Sequence, residues 1–315
     1  MTLKSSLSGR GQQSARRILI SGSSGLIGRA VIASRRRAGD VVVPLVRAKG
    51  TADALLWDPG SGTLDPALVS GFDTVIHLAG EPVVGLWTAS KRRRIMESRV
   101  LGTTELATAL ASATLPPRLF LSASGINYYG NRAKTVLDET SPSGDGFLAE
   151  VCRAWEAASK PLTNRSRIVH LRIGVVLAAE GGVLPRLLPA FRIGLGANIG
   201  DGEGYVSWVA LEDLVRVIDH LIEASNIDGP VNVVAPEPVT SEAFNRAIGS
   251  AVDSRVRIRV PAWPFRLLLG QLADETILGS VRAIPGRLAR DGFAFHCNTL
   301  DVALARMDLR RPRTQ

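Results

Sequence analysis

Residues 16–39 read RRILISGSSGLIGRAVIASRRRAG, a β-branched run, a turn of glycine and serine, and then apolar residues at helical spacing up to Gly39. The change of period predicts a strand, a tight loop and a helix in direct succession. Gly22, Gly25 and Gly28 stand in the pattern G-x-x-G-x-x-G, with Ser23, Ser24, Leu26 and Ile27 between them. In that setting glycines let the backbone bend sharply, approach a pyrophosphate and pack a helix against a strand. All seven residues are therefore expected to bind a dinucleotide, against the plainer reading of a glycine-rich turn without a ligand.

Working outward, VVVPLVR at 41–47, DTVIHLAG at 73–80 and RLFLSAS at 118–124 read as further strands. The segment 88–112 has the length and spacing of one amphipathic helix before Pro116 and Pro117, and another helix is expected near 147–160. RIVHLRIGVVL at 167–177 is read as one buried strand, followed by VSWV, a helix over 211–224 and a strand VNVVA at 231–235. Helices are expected near 241–251, 264–278 and 299–307. Alternating strands and helices give an α/β class, a Rossmann-type doubly wound parallel sheet with a smaller C-terminal substrate lobe. The expected boundaries are a flexible basic tail over 1–15, a dinucleotide-binding domain from 16–178 plus 206–235, and a smaller lobe from 179–205 plus 236–315.

Dinucleotide sites often carry an acidic residue at the end of the second strand, for the ribose 2′-hydroxyl; here Arg47 holds that place, and arginine accommodates a 2′-phosphate. NADP(H) is preferred over NAD(H) on that ground, and the plainer reading of Arg47 is an exposed charge at a strand end.

The chain has 315 residues, 45% hydrophobic and 21% charged, enough for a substantial core. Its net charge of +9 is local, because Lys4, Arg10, Arg16, Arg17, Arg29, Arg35, Arg36 and Arg37 all precede the first acidic residue, Asp40. No aromatic platform accompanies Arg35–Arg37 or Lys91–Arg94, so solvated helix faces are favoured over a nucleic-acid patch. No apolar stretch is long enough for a membrane span, and residues 1–15 lack the apolar core of a secretory signal. A cytoplasmic protein is expected. Cys152 and Cys297 read as small core residues, and His77, His170, His220 and His296 are too scattered for a metal site.

SGSSGLIG, DTVIHLAGE, SRVLGTT, LSASG followed by YYG, and LRIGVVL together resemble the extended short-chain dehydrogenase/reductase superfamily, in the order its epimerases and dehydratases use. HLAGEP, RAWEAA, RIGVVLAAEGG, LPAFRIGLGANIGDG, LGSVRAIPGRL and GFAFHCNTLDVAL narrow the resemblance to an atypical epimerase-like family with a characteristic C-terminal domain of unknown function. The resemblance implies that Val46 and Arg47 face the adenosine ribose, that Leu78 and Ala79 line the adenine or diphosphate, and that Val176 sits near the nicotinamide. Gly80 and Glu81 would border the cofactor cleft, and Arg99 would reach a cofactor phosphate or ribose.

The superfamily's proton-transfer pair is Tyr-x-x-x-Lys on a helix, where the cation lowers the phenol pKa. The pair is absent: Arg132, Ala133 and Val209 stand four residues after Tyr128, Tyr129 and Tyr205. Aligned on RAWEAA, its places fall on Leu148 and Cys152. The remaining candidates at the carboxyl end of a strand are Ser122, Ser124, Tyr128 and Tyr129, of which Ser124, Tyr128 and Tyr129 are taken as catalytic candidates: a serine to orient a carbonyl, a phenol to give a proton. The expected function is an NADP(H)-binding oxidoreductase acting on a small polar molecule; the alternative is a noncatalytic NADP(H)-binding regulator or scaffold, linked to cell division. The helices over 88–112 and 147–160 are the elements that could pair in a homodimer.

Overall fold

The computed structural model describes residues 15–48, 53–60, 63–223, 226–254 and 258–309. In chain order the first part comprises β1 (Arg17–Ser21), α1 (Leu26–Arg37), β2 (Val41–Val46), β3 (Leu55–Leu56), β4 (Thr74–His77), α2 (Ala89–Ser112), β5 (Leu119–Gly125), β6 (Val136–Leu137), α3 (Phe147–Ala157), β7 (Arg167–Ile173), β8 (Val175–Ala178) and β9 (Gly181–Gly182). There follow α4 (Leu184–Arg192), β10 (Ala197–Ile199), β11 (Tyr205–Val206), β12 (Trp208–Ala210), α5 (Leu211–Glu223), β13 (Gly229–Val233), β14 (Val239–Thr240), α6 (Ser241–Ala251), β15 (Ile258–Val260), α7 (Trp263–Leu269), β16 (Arg282–Ala283), α8 (Gly286–Arg290) and α9 (Leu300–Arg306).

Seven strands form a parallel sheet in the order β13-β7-β5-β4-β1-β2-β3. Ser21 at the end of β1 lies opposite Leu45 on one side and His77 on the other. The strand order reverses between β1 and β4, and an open α/β sheet has its crevice there, beyond the carboxyl ends. Both faces are covered, which is why Ile18, Leu19 and Ile20 are all fully buried. Ile18, Ile20, Ile76 and Leu121 pack with Val31 of α1 and Val217 of α5; Leu19, Val75 and Phe120 pack with Leu106 and Leu110 of α2.

Helix α2 starts where the Thr88 hydroxyl accepts from the Lys91 N–H at 3.2 Å, and its buried stripe runs through Ile95, Arg99, Gly102, Thr103, Leu106 and Leu110. Two expected elements are divided. The run 167–177 is two strands, because Gly174 turns the chain out of the large sheet so that β8 pairs with β12; a side chain at Gly174 would stand 2.7 Å from the Ser207 carbonyl oxygen. The helix expected over 264–278 stops at Gly270, in the left-handed region at φ +55, and resumes as one π-turn at Ala273–Ile277.

A second core joins Leu184, Leu188 and Phe191 of α4 to Phe244 and Ile248 of α6 and Leu300 and Leu304 of α9. The segment between α7 and α9 packs back on the sheet domain: β16 pairs with β6 in a separate two-stranded sheet, and Leu288 and Phe295 lie in the main core. Arg35 departs from the expected solvated face. It is 5% exposed, with its Nε on Asp40 at 2.7 Å and its Nη1 on Asp219 of α5 at 3.1 Å. Lys91 is likewise engaged, by Glu81 at 2.7 Å. Both cysteines are buried, as the composition suggests.

Candidate functional site

The glycine turn is built by exclusion of side chains. Gly22 sits at φ +70, and a Cβ there would fall 2.7–2.9 Å from the Leu78 carbonyl and the Ala79 nitrogen. A Cβ on Gly28 would fall 2.3 Å from the Gly22 carbonyl oxygen. The Gly25 N–H closes the turn on that oxygen at 3.0 Å. Helix α1 then begins at Gly25 with no side-chain cap and no acidic residue in its first turn. Its first N–H groups and the positive end of its dipole are therefore left for an anion, which is what a pyrophosphate requires. Ser23 is half-buried and Ser24 exposed, while Leu26 and Ile27 are half-buried beneath the turn. Leu26 meets the β8–β9 hairpin, where a side chain at Gly181 would approach it to 2.9 Å; this brings half-buried Val176 to the same edge.

Leu78 continues from β4 beside the turn, its N–H donating to the Ser21 carbonyl at 3.2 Å. Arg99 fastens the next residues: its Nη1 donates to the Glu81 carbonyl at 2.9 Å and the Ile95 carbonyl at 3.2 Å, and its Cζ lies 3.2 Å from where a Gly80 side chain would stand. The Glu81 N–H donates to the Ser98 hydroxyl, and its carboxylate meets Lys91, whose hydrogen bond holds it below the usual carboxylate range. Val46 ends β2 half-buried, and exposed Arg47 lines a groove of about 550 Å³ with Trp57, Asp58 and Leu64. Thus the turn, the end of β2 and the end of β4 converge around the switch point.

At the neighbouring end of β5 the structure places a polar network rather than an acid–base pair. Ser124 donates to Glu156 Oε1 at 2.8 Å, and buried Arg172 grips the same carboxylate from Nε at 2.8 Å and Nη2 at 2.9 Å. Arg172 Nη1 also donates to the Tyr129 hydroxyl at 3.0 Å, which donates in turn to Asn232 Oδ1 at 2.7 Å. Burial opposes the Arg172 charge, yet Glu156 holds its pKa above the ordinary value. Tyr129 is fully buried, and burial pushes its phenol up to about 12 despite the pull of Arg172. Tyr128 is half-buried, its ring 3.4 Å from the Arg172 guanidinium carbon. Of the two phenols, then, Tyr128 is the one with solvent access. Leu148 and Cys152 lie buried on α3; burial raises the Cys152 thiol to about 11.

Glu156, Asn232 and Glu139 are members of this site that residue-by-residue reading passed over. Glu139 accepts from the Asn232 and Arg287 N–H groups and ties the network to the C-terminal segment. RAWEAA carried Glu156 in plain sight, but only the β5–β7 register, Ser124 opposite Arg172, shows what it joins. His77 is a half-satisfied core histidine: Nδ1 is hydrogen-bonded to the Ser21 hydroxyl at 2.6 Å, Nε2 has no partner among the described residues, and burial lowers the imidazole to about 4. Among the described residues no cluster of three metal-ligating side chains occurs, and no helix is long and apolar enough to cross a membrane.

A doubly wound sheet, an uncapped helix behind a G-x-x-G-x-x-G turn and a crevice at the β1/β4 reversal define a Rossmann-type protein with a nicotinamide-dinucleotide site. Comparison with known proteins makes the assignment specific. The chain belongs to the NAD dependent epimerase/dehydratase family, whose model matches residues 18–234, and residues 260–307 match a domain of unknown function, DUF1731. An epimerase family protein of Mycobacterium bovis is 40% identical over 290 residues, covering 91% of this chain and 96% of its own. The crystal structure of human epimerase family protein SDR39U1 (isoform 2) with NADPH superposes with a TM-score of 0.85 at 30% identity, covering 93% of this chain and 99% of that one. A Corynebacterium glutamicum structure described as a nucleoside-diphosphate sugar epimerase gives 0.79 at 34% identity; it covers 94% of this chain, which spans 58% of that longer one.

Proposed function

We propose that this protein is an NADP(H)-binding, epimerase-like oxidoreductase acting on a small polar molecule held between the sheet ends and the C-terminal lobe. The observation that carries the reading is the uncapped N-terminus of α1 behind Gly22 and Gly28, a cradle that any Cβ would fill. Arg47 at the end of β2, in the place where dinucleotide sites often carry an acidic residue, supports NADP(H) over NAD(H), and the NADPH carried by the human relative agrees. Ser23, Ser24 and the first α1 N–H groups would take the pyrophosphate, Val46 and Arg47 the ribose with its phosphate, Leu78 and Ala79 the adenine side, and Val176 the nicotinamide side.

Bound there, the cofactor supplies hydride transfer. The chain's own part is positional and electrostatic. Because the Ser124 proton is directed at Glu156, its oxygen offers lone pairs outward, so it suits a substrate hydroxyl better than a carbonyl. Tyr128 is the phenol left to exchange a proton, its ring resting against the Arg172 guanidinium. Calorimetric titration of NADPH, NADP+, NADH and NAD+ tests the reading: NADP(H) is expected to bind more tightly, and no dinucleotide binding would end it. Oxidation of bound NADPH by a carbonyl metabolite, followed at 340 nm, would then be expected to fall in Tyr128→Phe and persist in Tyr129→Phe.

A second reading, a noncatalytic NADP(H)-binding regulator, draws on the locked state of Tyr129 and on the missing Tyr-x-x-x-Lys pair. It predicts tight NADPH binding with no turnover of any carbonyl tested.

A further inference from the structure

Helix α3 begins without a cap of its own. Gly146 stands at its N-cap, at φ +108, and has no side chain to accept from the first N–H groups. Those groups are taken instead by Glu275, whose carboxylate accepts from the Phe147 N–H at 2.8 Å and the Leu148 N–H at 2.7 Å. The glycine is what admits it: a Cβ on Gly146 would stand 3.0 Å from the Glu275 carboxyl carbon. Glu275 lies in the π-turn Ala273–Ile277, inside the stretch that matches the domain of unknown function. Further bonds hold the same turn in place. Asn127, in the turn after β5, donates from Nδ2 to the Glu275 carbonyl at 3.1 Å. Gln271 donates to the Glu275 carboxylate and accepts from Arg92 Nη1 of α2 at 2.9 Å. The π-turn therefore spans α2, the end of β5 and the start of α3, and it is seated on Leu148, the residue in the place of the superfamily's tyrosine.

A Ser, Thr or Asp at position 146 would cap α3 whatever the rest of the chain did. A cap delivered from the C-terminal domain exists only while that domain is docked. Order at the start of α3 and docking of the π-turn are therefore linked, each favouring the other by the same factor. The element before the turn is held quite differently. Helix α7 has no buried residue, and Trp263, Leu267 and Leu268 are all exposed. Gly270 follows it in the left-handed region, with nothing within 4 Å of its Cβ position, whereas Leu272 and Ala273 just beyond are buried. An unpacked helix, a glycine joint and an anchored turn thus stand in direct succession, and few buried apolar contacts mark the segment that opens first. On the other side of the Arg92–Gln271 bond, the loop before α2 leaves Val84 and Leu86 exposed around Gly85, another left-handed glycine.

We propose that Glu275 is a latch and α7 the lid it carries. With the carboxylate seated on α3, the C-terminal domain straps the substrate side of the cleft. When the dinucleotide is bound, α7 swings at Gly270 and brings Leu267 and Leu268 onto Val84 and Leu86. The lid rests on the reading of these strand ends as the substrate side of a dinucleotide cleft; the latch stands on the geometry of Glu275 alone.

The test is amide hydrogen exchange over 145–150 and 270–280 in wild type, Glu275→Ala and Glu275→Gln, with acrylamide quenching of Trp263 read against Trp263→Phe, each free and saturated with NADP+. Trp263 suits the purpose because the other four tryptophans are buried or half-buried. In Glu275→Ala both segments are expected to exchange faster together, by about tenfold, with Glu275→Gln, which keeps one acceptor oxygen, in between. NADP+ is expected to shield Trp263 in the wild type and to shield it less in Glu275→Ala. Faster exchange confined to 145–150 would make Glu275 a local cap and overturn the latch, as would unchanged exchange in both segments. Bound NADP+ that leaves Trp263 equally open to acrylamide would overturn the lid. If Glu275→Ala fails to fold, Glu275→Gln and Gln271→Ala, which frees the carboxylate of one donor, decide by the same pattern. Should no dinucleotide bind, the cofactor reading and the lid fail together, while coupled exchange of the two segments would still uphold the latch.

Discussion

At the β1–α1 end of the cleft the working residues act through what they lack, and at the β5–α3 end through charge. Gly22 and Gly28 leave room for backbone to meet backbone, and the helix beyond them is left uncapped. A strand or two away, Ser124, Glu156, Arg172, Tyr129 and Asn232 fill the same depth with interlocked polar groups. The difference teaches that a surface shaped by main chain and one built from paired side chains make separate demands on the sequence. The first half needs only main-chain shape, so it survives with no particular side chain. The second depends on every member of a network being satisfied, because a half-satisfied buried network is worse than an apolar one.

That contrast can be broken most directly at Arg172. Arg172→Met leaves the largely buried Glu156 carboxylate without its cation, and urea unfolding is expected to show a loss of about 3 kcal/mol; a loss below about 1 kcal/mol, the value of an exposed pair, would mean that the network is wet and loosely held.

His77 sharpens the other half, since it lies beneath the glycine turn on Ser21. Its folded pKa of about 4 lies below the ordinary 6.5, so the unfolded chain binds the extra proton between those values. Stability is therefore full above about pH 6.5 and falls as the pH drops toward 4, by about 3 kcal/mol over that window. Unfolding free energies at pH 7 and pH 5 should differ in the wild type, and His77→Gln should remove the His77 share of the difference. An unchanged slope would place the acid sensitivity elsewhere.

Gly22→Ala combines a left-handed backbone with a clash against Leu78 and Ala79, an expected cost of about 2–3 kcal/mol together with loss of dinucleotide binding. Retained NADPH affinity in a folded Gly22→Ala protein would contradict the idea that main-chain shape makes this site. The smallest expected effect on stability is at Arg47, an exposed residue. Arg47→Ala should leave the melting temperature unchanged and weaken NADPH by about ten- to a hundredfold while sparing NADH. Equal weakening of both would detach Arg47 from the 2′-phosphate.

Residues 16–39 were legible because turn, strand and helix there follow from local backbone demands: glycine where φ is positive, period two and then 3.6. The length of α2 was legible for the same reason. The run 167–177 was not, since the break at Gly174 answers to the Ser207 backbone, which arrives from more than thirty residues away. Arg35 misled as a member of a basic run, for its partners Asp40 and Asp219 come from a loop and from α5. Likewise Tyr128 and Tyr129 look interchangeable in sequence, but of these consecutive residues of the turn after β5 one is sealed in the core and the other only half-buried, its ring against Arg172.

By itself, then, the sequence determined the strand–turn–helix unit, the parallel alternation that follows it, the family resemblance and the absence of the Tyr-x-x-x-Lys pair. These are local or compositional properties, written in neighbouring residues. Only the tertiary structure decided which carboxylate meets which arginine and which phenol is sealed. Such pairings are made between elements distant in the chain, where burial removes the water that would otherwise screen every charge alike.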